Sequence, residues 1–100
     1  MSQSPSRLVL TTARHMIEDE RNWLQHGWKR ANQYRTKRCA YQAVADAARQ
    51  IGIGGAPALA AMTRIIGQEG ECPRGAISCF NDESTHADVL TLFDLALESV

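Results

Sequence analysis

The side chains with the most chemical potential in this chain lie in one run. Residues 27–38 read GWKRANQYRTKR, five basic side chains with no acid. Lys29, Arg30, Arg35, Lys37 and Arg38 could neutralise phosphates, and Trp28 and Tyr34 could stack on unpaired bases, which together are the ingredients of single-strand nucleic-acid binding. The same composition suits a solvated link between two helices. With 11 Lys and Arg against 11 Asp and Glu, the chain is formally neutral, so the rest of it carries a matching acidic excess. Overall neutrality argues against a general nucleic-acid coat and against an acidic DNA mimic.

The other reactive types are dispersed. Nucleophilic catalysis needs a cysteine beside a histidine and an orienting group. Cys39, Cys72, Cys79, His15, His26 and His86 supply the types, but no spacing pairs them. Cys72, Cys79 and His86 recur at a regular interval, yet Pro73, Gly75 and the Asn81-Asp82 break interrupt any single helix that would align them. Structural zinc sites use two close ligand pairs, and none is present. The glycines at 52, 54 and 55 follow a helical pattern and not a strand, so they are no phosphate loop. The expectation is therefore no catalytic residue, no metal and no cofactor, with a non-enzyme favoured. Cys39 and Cys79 read as small buried hydrophobes. An odd cysteine count without CxxC suits a reducing compartment.

These residues need positioning elements. One hundred residues make one domain, burying roughly 65% of the unfolded surface. Alanine is abundant and strand-like alternation is nearly absent, so the fold class is all-α. Helical spacing of Val9, Ala13, Met16, Ile17 and Leu24 predicts a helix over 6–25, behind Pro5 and a serine cap. A second helix over 37–51 presents Ala40, Ala43, Val44, Ala47 and Ile51, and Gly52 ends it. A third runs from Ala56-Pro57 to Gly67, with Leu59, Met62, Thr63 and Ile66 inward. Residues 76–80 form one short turn, with Phe80 closing the core and Asn81-Asp82 turning the chain by side-chain to backbone bonds. A last helix over 85–99, capped by Thr85, buries Val89, Leu90, Phe93, Ala96 and Leu97. The expected architecture is a compact single-domain bundle of four main helices with a short extra turn before the last. Residues 1–5 form a flexible N-terminus and 6–100 the single helical domain. The second and third helices also have the outline of a helix-turn-helix, but PALAAMTRIIG offers few side chains for base edges. No apolar run reaches membrane length and the start lacks a signal core, so a cytoplasmic protein without a membrane partner is expected.

One pattern is more specific. Trp23-x-Gln25, then Cys39-Ala40 with Ala43, then Ile77 with Phe80-Asn81-Asp82, then Val89-Leu90 with Phe93-Asp94 and Ala96, resembles a family of small bacterial and phage proteins known only as a domain of unknown function. The resemblance runs from about Ile17 to Leu97. Phe80 stands where the family favours tryptophan, and His26 separates Gln25 from Gly27. It implies a helical architecture and a bacterial or phage origin, and it carries no activity.

By elimination, the expected function is a small non-catalytic interaction module that binds another protein, as a phage-borne adaptor or an inhibitor of a host system. The tentative contact residues are Trp23, Trp28, Lys29, Arg30, Tyr34, Arg35, Lys37 and Arg38, an aromatic and arginine composition typical of binding hot spots. The alternative is a nucleic-acid-binding protein using the basic segment 28–38. The small-residue face of the second helix would also suit a homodimer.

Overall fold

The structure, a computed structural model, describes residues 4–25, 37–67 and 75–100. In chain order it contains α1 (Pro5–Ile17), a single 3-10 turn (Glu20–Asn22), α2 (Ala40–Ile51), α3 (Ala56–Ile66), α4 (Ala76–Glu83) and α5 (His86–Ser99). The described residues form no sheet. The all-α expectation therefore holds, but with five α-helices in place of four and a turn.

The first helix starts where proline and serine place it. Ser4 adopts an extended conformation and its hydroxyl accepts from the Arg7 backbone N–H, with Pro5 in the first turn. Val9, Leu10, Ala13 and Ile17 are buried along one stripe. The helix then stops at Ile17, eight residues short of the expected end. From Glu18 to Asn22 no side chain is apolar, and Asp19 accepts from the Arg21 N–H to start the 3-10 turn instead. Leu24 is buried all the same, but it gets there on extended backbone. Its spacing from Ile17 only imitates two further helical turns.

Extended residues 23–24 meet Arg38 in an isolated parallel bridge. The Leu24 N–H donates to the Arg38 carbonyl and the Arg38 N–H to the Asn22 carbonyl, both at 2.9 Å. This pairing takes Lys37 and Arg38 out of the expected second helix, which starts at Ala40 with Cys39 as its cap. Along α2 the buried face is Ala40, Ala43, Val44, Ala47 and Ala48, against which α1 packs. Gly52 ends it at φ 87°, a left-handed conformation that side-chain-bearing residues rarely adopt.

On α3 the buried residues are Ala58, Ala61 and Met62, one position out of phase with the expected stripe. Thr63 is exposed and bonds its hydroxyl to the Leu59 carbonyl. The greatest revision is α4. What reads as one turn is an eight-residue helix whose inner residues are Ile77, Cys79, Asn81 and Asp82. Thr85 caps α5 as expected, accepting from the Asp88 N–H at 3.1 Å. That helix buries Val89, Leu92, Phe93 and Ala96, while Leu90 and Leu97 sit at its flank. Arg14 of α1 holds Asp94 of α5 at 2.8 Å, and α3 packs on α4 and α5 to close the core.

No helix among the described residues is long and apolar enough to cross a membrane.

Candidate functional site

The most connected polar group in the fold is Asn81. It sits in the last turn of α4 with no solvent exposure. An asparagine amide can accept two hydrogen bonds and donate two, and here all four are made. Oδ1 accepts from the Trp23 indole Nε1 at 2.6 Å and from the Ala40 backbone N–H at 3.0 Å. Nδ2 donates to the Leu24 carbonyl at 3.0 Å and to Asp82 Oδ1 at 3.1 Å. Both groups facing Oδ1 are obligate donors, which fixes the orientation of the amide. Ala40 is the first residue of α2, so its N–H lacks an intrahelical acceptor. Asn81 supplies that acceptor from across the molecule.

Two neighbours repeat the device at other helix ends. Gln25 Nε2 donates to the carbonyls of Asp82 and Ser84, each at 2.9 Å, where α4 leaves carbonyls without partners. His86 Nε2 lies 2.7 Å from the carbonyl of Ile17, the last residue of α1, so the ring carries its proton on Nε2. The same ring lies 5.5 Å from that of Trp23. Trp23, Gln25, Ala40, Asn81, Asp82 and His86 thus form one lock, which joins the ends of α1, α2 and α4 to the extended segment. Asn81 and Asp82 do act structurally, as expected. They act from inside a helix and over long range, where a local turn was expected. His86 had no sequence signal beyond its place after a cap residue.

Over residues 1–99 the chain matches the family described as "Family of unknown function (DUF6197)". The chain belongs to this family. No curated protein and no solved structure matches it. Trp23, Gln25, Ala40, Asn81 and Asp82, on which the resemblance was read, sit in the lock together with His86.

The expected contact residues divide. Trp28, Lys29, Arg30, Tyr34 and Arg35 lie outside the described residues. Trp23 is half-buried, with its polar tip committed to Asn81. Lys37 is partly buried. Arg38 donates through Nε to Asp46 Oδ2 at 2.7 Å. Asp46 also accepts from Gln42 Nε2 at 2.9 Å and faces Arg49 at 3.4 Å. Burial alone would raise the Asp46 carboxyl, but the bonds from Arg38 and Gln42 and the two arginine charges outweigh it and lower its pKa.

Cys79 corrects the reading of every cysteine as a reduced small hydrophobe, because it is disulfide-bonded. The missing CxxC spacing was a poor guide, since pairing depends on Cα separation in the fold and not on sequence interval. Cys39 is free. Burial pushes its thiol up, more than the Gln42 and Tyr41 backbone N–H groups pull it down. A raised thiol is a poor nucleophile at neutral pH. Alkylation of Cys39 in the folded protein is expected to be slower than that of a free cysteine peptide, followed by intact mass against time. Faster alkylation would point to an activated thiol. Among the described residues no three His, Cys, Asp or Glu side chains are grouped so as to hold a metal ion.

Proposed function

We propose that the protein is a small non-catalytic interaction module that binds another protein. The observation that carries this reading is the base of the basic segment. The chain enters at Leu24 and returns at Arg38, and the two points are hydrogen-bonded to each other and to the Asn81 lock. A parallel pairing needs a crossover of about a dozen residues or more between its strands, and the interval 25–37 supplies it. Both described ends of that interval are therefore tied to the fold, Leu24 to Arg38 and to Asn81, by hydrogen bonds. A fixed base lowers the ordering cost of binding, and aromatic residues beside arginines are the usual anchors of protein interfaces. In a bacterial or phage setting, an adaptor or an inhibitor of a host system fits a protein of this size.

The nucleic-acid alternative would draw on the same cations, and its steep salt dependence separates the two readings. The test is an affinity capture from host lysate using the tagged protein, with and without nuclease. One protein recovered in near-equal amounts from both arms, with capture lost in Trp28→Ala and little affected by salt, is the expected result. Recovery of nucleic acid, or capture that vanishes with nuclease and falls steeply with salt, would overturn it.

A further inference from the structure

We propose that the cleft between α1 and the outer face of α2 is a binding site for a small organic anion, with its carboxylate or phosphate group held by Arg38. This goes beyond the interaction reading and does not depend on it. The cleft has a volume of about 400 Å³ and is lined by Thr11, Thr12, His15 and Met16 of α1, with Arg38 and Gln50 opposite. That volume lies in the range of small-ligand sites.

Among the described residues the donors facing it keep spare hydrogen-bonding capacity. Arg38 uses only Nε on Asp46, and neither Nη nitrogen has a hydrogen-bond partner among the described residues. The contact with Asp46 fixes the plane of the guanidinium and leaves its fork open, with the side chain 28% exposed. A guanidinium fork matches the geometry of carboxylate and phosphate oxygens. Two exposed threonines inside other helices close on their own backbone. Thr63 and Thr91 donate to the carbonyls of Leu59 and Ala87 at 2.9 and 3.0 Å. Thr11 and Thr12, in the cleft, make no such bond among the described residues, and neither does the Gln50 amide.

The charges around the cleft favour an anion. Asp46 is the acid nearest to Arg38, and Arg49 at 3.4 Å offsets it. Arg14, held by Asp94 at 2.8 Å, reaches Glu18 only at 4.0 Å, and the His15 ring lies 3.4 Å from Glu18. Met16 provides an apolar wall for the body of the ligand.

The experiment is an NMR titration of the full chain with inorganic phosphate and with succinate, using sodium chloride as the control. It follows the Arg38 Nε–H and the amides of Thr11, Thr12 and Gln50. The expected result is a saturable shift confined to the cleft with at least one of the two probes, and none with chloride. Gln50→Glu changes an exposed position, so it leaves the fold intact while adding an acid to the lining of the cleft, and it should weaken binding at least about tenfold. Arg38→Lys keeps the charge but removes the fork, and should weaken it several-fold. Non-saturating shifts with both probes would overturn the proposal. So would shifts unchanged in Gln50→Glu, or shifts centred outside the cleft.

Discussion

Replacing Asn81 with alanine is expected to cost about 3–5 kcal/mol of folding stability, read as a lowered urea midpoint at an unchanged slope. The truncation leaves the Trp23 indole N–H, the Ala40 N–H and the Leu24 carbonyl without their partner. Each buried orphan costs about 1–3 kcal/mol, and a domain of this size holds only about 5–15 in total. Asn81→Asp separates the polar account from simple loss of volume. An aspartate keeps the two acceptor contacts, but when ionised it cannot donate to Leu24, and it stands against the Asp82 carboxylate. Burial and that neighbour raise its folded pKa above the ordinary value of about 3.9. The deficit against wild type should therefore be smallest below about pH 4, where both states are protonated. It should grow as pH rises toward the raised folded value. A variant within experimental error of wild type at neutral pH would remove the lock from the account.

Phe93→Ala is the second large effect, also about 3–5 kcal/mol. Phe93 heads the fully buried side chains, in a core cluster that also holds Ala13, Ala43, Ala47, Ala61 and Ala96. Alanine Cβ atoms are fixed to their helices and have no rotamer with which to fill a gap. The site can collapse only if whole helices move, which puts the cost toward the upper end. Leu95→Ala on the same helix should change stability by no more than about 0.5 kcal/mol, because Leu95 is 43% exposed.

What the sequence made legible follows from the range of the interactions. Gly52, Gly67 and Thr85 act within a turn of their own position, so the ends of α2 and α3 and the start of α5 were readable. The end of α1 was not, because Leu24 keeps a helical spacing from Ile17 while sitting on extended backbone. Residues 76–83 were read too short because Asn81 and Asp82 are residue types that favour turns, and their buried partners lie far away in sequence. Trp23, Gln25, Ala40, Asn81 and Asp82 were named through the family resemblance and His86 was not, and nothing in one sequence shows that Trp23, Ala40 and Asn81 meet. The same holds for Arg38, which reads as one cation among five until Asp46 is placed beside it.

The central claim is that the network around Asn81 is an internal lock that joins α1, α2 and α4 to the extended segment. Amide and indole hydrogen exchange on the wild-type protein tests it most directly. The account expects the Trp23 Nε1–H and the Ala40 N–H to exchange as slowly as the core amides of α2 and α5, opening only when the whole domain unfolds. Exchange of either proton orders of magnitude faster than those amides would contradict it, because the network around Asn81 would then open on its own.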